Sequence, residues 1–468
     1  MELAKELFEV PYKGRTFLYA PLSESVLEVS QGLIFFLNQI KQGKDPRTIN
    51  PDLTDKLLRA RILTKKQDEK IVSKSCSGSE LYLPTSVTLL PTYDCNLRCK
   101  YCYARAGEEV GKVMDKEVAK SSLDFIIENA IQLKKRQIHL GFHGGGEPLY
   151  PANRQLLDYA VNYLKEKAKS SNLKYSISAV SNGLWGENTF KWAIENLNNV
   201  NISLDGPKDI QNSQRPIDEE GKIGSYDIVI NTIKMLEATK TKDGKKFPYG
   251  IRATITDASV GRMEEIIGFF HSVSSNKSFH LEPLFECGRC AKSNAKSPKP
   301  EDFLENFLKA ERKAKELGIE IYYSGGSLEK IGQTFCGACG SNFFVTPNGY
   351  VTSCLEACRE NDAVSNVFYI GKFNAQTKQF EFDNDRINTL KGRRVEKISF
   401  CEYCFGKYNC SGDCPAKVFE QTGDIMDPSN NWRCIINLGL LTERMAQAID
   451  RSKDGIGKLE QKSDKKLC

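Results

Sequence analysis

Cys95-Asn96-Leu97-Arg98-Cys99-Lys100-Tyr101-Cys102 is the stretch of this 468-residue chain on which its reading turns. Its cysteines are spaced C-x3-C-x2-C. Three thiolates can hold three irons of a 4Fe–4S cube and leave the fourth iron without a protein ligand. An open iron of that kind can chelate a small molecule and pass it an electron. Zinc is the rival reading of close cysteines, but it prefers a closed set of four ligands. The histidines, His139, His143, His271 and His280, all lie away from this loop. The run from Pro84 to Pro91 is β-rich and leads into the loop as a strand.

Farther along the chain, three more strand ends carry polar or glycine-rich caps. Ile138-His139-Leu140-Gly141-Phe142-His143 runs into Gly144-Gly145-Gly146-Glu147-Pro148. Glycines let the backbone approach a ligand, and their free N–H and C=O groups can bind it. Tyr175 to Val180 ends in Ser181-Asn182-Gly183, and Asn199 to Ile202 ends in Ser203-Leu204-Asp205-Gly206-Pro207. Polar residues at C-terminal strand ends are where β/α barrels place their chemistry. Taken singly, each of these polar residues reads as loop and cap hydrogen bonding.

Together they resemble the signature of the radical S-adenosylmethionine (SAM) enzymes. The resemblance implies that Cys95, Cys99 and Cys102 hold a 4Fe–4S cluster whose open iron binds SAM. It implies that Tyr101 packs beside the adenine. It places Gly144, Gly145, Gly146 and Glu147 near the methionyl amine. Ser181, Asn182, Ser203 and Arg215 are the further SAM contacts it suggests, with Arg215 suited to the SAM carboxylate because Arg favours planar bidentate partners. Relatives often carry His-Asp after S-x-D-G-P, whereas this chain reads Ile210-Gln211-Asn212. No residue is singled out as catalytic.

The chain has 16 cysteines. Its first residues, Met1 to Glu6, lack the apolar core of a signal peptide, and no segment reaches the roughly 18 apolar residues of a membrane span. A cytoplasmic, reduced setting is therefore expected, in which cysteines bind metal more often than they form disulfides. Cys336 and Cys339 precede Gly349-x4-Cys354, and Cys401-x2-Cys404-x5-Cys410-x3-Cys414 and Cys434 follow. This order resembles the SPASM domain, which carries two auxiliary 4Fe–4S clusters. The resemblance assigns Cys401, Cys404, Cys410 and Cys434 to an outer cluster. It assigns Cys336, Cys339, Cys354 and Cys414 to an inner one, with Cys358 as a possible substitute. A zinc ribbon from Cys336-x2-Cys339 and Cys401-x2-Cys404 would leave Cys410, Cys414 and Cys434 unexplained. Cys287 and Cys290 read as small buried hydrophobes or as a thiol pair near the substrate. Cys76 and Cys468 sit in polar segments without an evident role.

Hydrophobic residues make up 40% and charged residues 27%, as in a soluble globular protein, and the net charge is +6. Basic residues crowd the stretch from Lys453 to Lys466, which has no aromatic for base stacking. No nucleic-acid or membrane partner is expected. The expected fold is α/β: a partial (β/α)6 barrel over 83–290, a helical bridge over 291–335, a SPASM domain over 336–434, and a C-terminal helix and basic tail over 435–468. Residues 1–80 form a winged-helix-like unit, with paired strands around Lys13-Gly14, a helix over Val26 to Gln42, and a short capped helix over Asp52 to Ala60. The 13 Lys and Arg of that unit against 11 Asp and Glu disfavour DNA binding. It resembles the leader-peptide recognition element of maturases that modify ribosomally made peptides.

The expected function is a radical SAM enzyme that forms a thioether or carbon–carbon crosslink in a precursor peptide. Its cofactors would be three 4Fe–4S clusters and SAM, and its reductant a ferredoxin or flavodoxin. Formylglycine generation by a sulfatase-maturing enzyme shares the same clusters and is the near alternative. An Fe–S redox-sensing winged-helix regulator is the alternative of another class, though a sensor needs no SAM pocket.

Overall fold

The computed structural model describes residues 1–64, 81–241, 243–452 and 456–458. Cys76, Cys468 and most of the basic stretch after Lys453 lie outside them. Contacts divide the chain into two compact units: Met1–Glu80 with Ser324–Cys336 and Arg393–Cys468, and Leu81–Tyr323 with Gly337–Gly392.

The first unit begins with β1 (Glu2–Leu3), β2 (Phe8–Tyr12), β3 (Arg15–Ala20), β4 (Ser25–Glu28) and β5 (Leu63–Thr64). β2 and β3 form the expected hairpin, turning at Lys13-Gly14, where Gly14 takes φ +77°. The helix expected over Val26 to Gln42 is shorter, Gln31–Lys41. Ser25–Glu28 instead pairs antiparallel with β3. The boundary is set by Ser30, whose hydroxyl accepts from Leu33 N and caps the helix. On this helix Leu33, Phe36 and Leu37 are buried, while Ile34 and Phe35 are exposed. The short helix is Pro51–Arg59, capped by Asn50.

The second unit is built on one sheet. Its strands are β6 (Ser86–Leu89), β7 (Gln137–Phe142), β8 (Lys174–Ser181), β9 (Asn199–Ser203), β10 (Tyr249–Ile255), β11 (Ser278–Pro283), β12 (Glu320–Tyr322), β13 (Phe344–Val345), β14 (Tyr350–Thr352), β15 (Tyr369–Asn374) and β16 (Gln379–Phe382). The order is β12-β11-β10-β9-β8-β7-β6-β13-β14-β15-β16. Neighbours from β12 through β6 to β13 are parallel, and the rest are antiparallel. Parallel neighbours need crossover connections. The helices Lys116–Gln132, Arg154–Ser170 and Tyr226–Ala238 are among those that supply them. The stretch 291–335 contains the helix Pro300–Glu316 and also β12, a short strand parallel to β11 where the sequence predicts only a helical bridge. Gly318 at φ +67° turns the chain so that Ile321 can reach the core. Alternation is clean along β10: Ile251, Ala253 and Ile255 are buried, and Gly250, Arg252 and Thr254 lie on the other, inner face. That inner face positions the site.

The remainder of the first unit carries its helices between 395 and 451 and the strand β17 (Ile456–Lys458), which pairs with β4. Its long helix, Arg433–Arg451, packs Leu441, Met445 and Ile449 against Val10, Phe17, Tyr19 and Val26. Among the described residues, no helix is long and apolar enough to cross a membrane.

Candidate active site

The loop Cys95 to Cys102 follows β6 and is held from several sides. Arg98 N donates to Pro216 O at 2.7 Å and Lys100 N to Gln214 O at 3.0 Å. Arg289 completes the clamp. Its Nη1 donates to Cys99 O at 2.9 Å, its Nη2 to Ala106 O at 2.6 Å, and its backbone N to Cys102 O at 3.0 Å. Gly288 beside it takes φ +56°, and a Cβ there would lie 2.4 Å from Tyr103 O. In the sequence Cys287 and Cys290 draw attention and Arg289 does not, although the Gly-Arg pair between the two cysteines is the available signal.

The glycine run after β7 meets the start of the same loop. A Cβ on Gly146 would stand 2.1 Å from Asp94 O, and Glu147 N donates to that same oxygen at 2.8 Å. Gly145 takes φ +91°. Glu147 is buried and turns toward the next strand end. It accepts from Ser181 Oγ at 2.7 Å, Asn182 N at 2.8 Å and Leu149 N at 3.1 Å. Burial lifts its pKa to about 7 against the pull of those donors. Asn182 Nδ2 donates to Asn96 Oδ1 at 2.8 Å and lies 3.8 Å from Cys95 Sγ. Gly144 to Glu147, Ser181 and Asn182 are thus brought together at the first cysteine.

The other side is organised by Asp205, a residue of the S-x-D-G-P stretch with no role assigned from sequence alone. It is fully buried and accepts from Tyr101 OH, from Gln214 Nε2 at 2.7 Å and from Thr254 N at 3.0 Å. Arg215 Nε lies 3.0 Å from Asp205 Oδ2, an ion-pair distance. The Arg215 guanidinium covers the Tyr101 ring at 5.2 Å, and its Nη1 lies 3.9 Å from Cys99 Sγ. Gln211 stands where the expected His-Asp would be. Its Oε1 accepts from Asp205 N at 3.0 Å, and its Nε2 donates to Ser225 Oγ at 3.0 Å, so the segment still braces Asp205. Ser203 is half-buried on β9, level with Arg252.

The donor set fits a group bound by three thiolates. Cys95 feels the charge of both Cys99 and Cys102. Burial raises the Cys99 thiol, to about 11, while Arg215 and Arg289 act in the opposite direction and favour the thiolate. Among the described residues no group of three or more His, Cys, Asp and Glu is gathered for a single metal ion. A cube takes its thiolates on separate irons.

In the first unit, burial raises the thiols of Cys401, Cys410 and Cys434, and neighbouring charge adds to it: Cys404 on Cys401, and Asp413 followed by Cys401 and Cys404 on Cys410 and Cys434. Asn437 Nδ2 donates to Cys410 Sγ at 3.2 Å. The inner set is divided: Cys336 and Cys414 belong to the first unit, Cys339 and Cys354 to the second. Within the second unit, Asn342 Nδ2 donates to Ser353 O at 3.0 Å and Ser353 Oγ to Ala338 O at 3.1 Å, tying the segments of Cys339 and Cys354 together. Cys358 is fully buried beside Leu90, Ala104, Cys102 and Tyr103, against the cluster loop.

Residues 89–257 match the family model described as the radical SAM superfamily. This chain carries a radical SAM domain. The cysteine-type anaerobic sulfatase-maturating enzyme of Clostridium perfringens (strain 13) is 25% identical over 360 residues, covering 71% of this chain and 89% of the relative. An uncharacterised protein of Methanocaldococcus jannaschii is 29% identical over 38% of this chain, a match that spans 55% of that relative's length. Among solved structures, native anSMEcpe with bound AdoMet superposes with a TM-score of 0.60 at 21% identity, over 77% of this chain and 98% of that one. Streptococcus suis SuiB bound to precursor peptide SuiA gives 0.51 at 14% identity, over 90% and 97%. These likenesses show the radical SAM α/β fold.

Proposed function

We propose that this radical SAM protein oxidatively modifies a ribosomally made precursor peptide, forming a thioether or carbon–carbon crosslink. One observation carries the reading: four C-terminal strand ends of a parallel sheet close on Cys95, Cys99 and Cys102 through Asp94, Glu147, Asn182 and Asp205. When bound, a 4Fe–4S cluster and SAM supply a 5′-deoxyadenosyl radical that abstracts hydrogen. The protein's part is to hold and orient. Tyr101 offers a ring fixed by Asp205 and Arg215 for the adenine to lie beside. Gly144, Gly145 and Gly146 let the backbone pack closely against Tyr103, Thr92 and Asp94 around the cysteine loop. Ser181, Asn182 and Ser203 present hydroxyl and amide groups at the strand ends, and Arg215 presents positive charge toward Cys99.

In support of leader binding, residues 1–64 hold a strand hairpin and short helices. The nearness of Cys401, Cys404 and Cys434 to Cys410 supports an auxiliary cluster there. The resemblance to sulfatase-maturating enzymes keeps formylglycine formation as the second reading.

The test is anaerobic reconstitution followed by SAM and dithionite. The reading expects 5′-deoxyadenosine from the native chain and none from a Cys95→Ala, Cys99→Ala, Cys102→Ala triple variant. Iron content of about four per cube counts the clusters. Mass spectrometry of the peptide encoded by the neighbouring small reading frame then separates the two readings: loss of two hydrogens means a crosslink, and a formylglycine shift means the second reading. Full turnover by the triple variant would end the proposal.

A further inference from the structure

The inner face of the parallel sheet is polar, which is unusual for strands covered on both faces. His139 Nδ1 meets Ser176 Oγ at 2.9 Å and its Nε2 meets Ser178 Oγ at 3.0 Å. Farther along, one row crosses four neighbouring strands in register: Ser203 on β9, Arg252 on β10, His280 on β11 and Tyr322 on β12. The His280 ring stacks on Tyr322 at 4.6 Å, with 15° between the planes.

Arg252 stands out in this row. It is exposed on the inner face between buried Ile251 and Ala253. Among the described residues its guanidinium enters no hydrogen bond or ion pair. The nearby acids are engaged elsewhere: Glu282 Oε2 lies 3.0 Å from His280 Nε2, and Glu147 accepts from Ser181 and Asn182. Its field is nonetheless felt. After burial, Arg252 is the cause that holds the His143 imidazole down at about 4, and it also pulls on the Tyr322 phenol. The inner face therefore presents, on the third strand from one edge of the sheet, a guanidinium without a counter-ion among the described residues.

We infer that Arg252, with Ser203, His280 and Tyr322 around it, is a substrate subsite that takes a carboxylate of the peptide. A guanidinium holds a carboxylate through two parallel N–H···O bonds, which fixes orientation as well as position. Ser203 offers a hydroxyl and Tyr322 a phenol at the same level. The carboxylate comes either from an Asp or Glu side chain or from the peptide's C-terminus. The inference rests on the reading of a peptide-modifying enzyme and names the residue class that is drawn into the sheet. Arg252, His280 and Tyr322 lie outside the SAM contacts proposed above, and Ser203 borders both groups.

The full-length, anaerobically reconstituted protein with SAM is titrated with three probes: acetyl-Gly-Asp-Gly-amide, acetyl-Gly-Asn-Gly-amide and acetyl-Gly-Gly-Gly with a free C-terminus. The native chain should bind one of the two carboxylate probes at least about tenfold more tightly than the Asn probe, as a charge-assisted bidentate pair allows. Which one wins assigns the source. Arg252→Gln should abolish that preference and Arg252→Lys should keep part of it, with SAM binding and 5′-deoxyadenosine release within about twofold of native. No preference in the native chain, or an unchanged preference in Arg252→Gln, overturns the inference. So does an equal loss of SAM binding in Arg252→Gln, which would give the guanidinium to SAM or to folding. Absence of 5′-deoxyadenosine from the native chain would count against the proposed function instead.

Discussion

Gly146 is a residue for which the backbone leaves no room for any side chain. Its missing Cβ would stand 2.1 Å from Asp94 O, a contact with backbone that cannot swing aside. Gly146→Ala should therefore displace the cluster loop, seen as lost iron and loss of 5′-deoxyadenosine release at near-native secondary structure. Arg289 acts on the same loop from the far side through three carbonyls. Arg289→Ala leaves Cys99 O and Ala106 O to water and keeps the backbone bond to Cys102 O. Each charged hydrogen bond is worth roughly 1.5–3 kcal/mol, so SAM cleavage should fall at least about tenfold. Arg289→Lys, a point charge without the fork, should recover only part. The cysteines, glycines and Glu147 are legible in sequence because their types and spacing are restrictive. Arg289 and Asp205 are not, because their roles depend on which distant carbonyls and side chains fold around them.

Among the elements, helices are legible nearly to their ends, since their apolar spacing and caps are local. The exception is Val26 to Glu28, where an edge on β3 is available and pairing with it outweighs the local helical pattern. Gly268 sits inside the helix Met263–Val273, and a Cβ added there would meet nothing within 4 Å. Gly268→Ala should therefore stabilise the second unit by about 0.5–1 kcal/mol in denaturant melts. Glu237, near the end of the helix Tyr226–Ala238, ties that helix to Lys246, Tyr249 and Ser275. Despite the opposing effect of burial, those partners, Lys246 foremost, lower its carboxyl to about 2. A carboxyl lowered on folding stabilises above its unfolded value near 4.5, and the gain disappears as pH falls toward 2. Native and Glu237→Gln chains should thus differ in melting temperature at pH 6 and converge toward pH 2. The carboxylate is partly exposed, so screening limits the gap to about 1 kcal/mol.

Over the full chain, the proposed auxiliary clusters would couple iron binding to stability. In the first unit, Asp413 and Arg433 are both fully buried, with Nε and Oδ2 at 2.8 Å, next in sequence to Cys414 and Cys434. Removing one partner of such a pair leaves a buried charge and costs about 3–5 kcal/mol. Asp413→Asn should lower the melting temperature and the iron content together. A double replacement of Asp413 and Arg433 by apolar residues should recover stability more than iron.

What the order of residues alone specifies is a set of local facts. Three cysteines at C-x3-C-x2-C follow a strand, further strands alternate with helices, and the strand ends are polar. Ligand spacing, glycine freedom and apolar period are each written within a few neighbouring residues. Other features exist only once the chain has folded. Glu147 latches the third strand rather than standing free, Asp205 gathers Tyr101, Gln214 and Arg215, and Arg252 faces inward without a counter-ion. Each depends on parallel strands far apart in the chain coming into register, and register is set by the packing of the whole sheet.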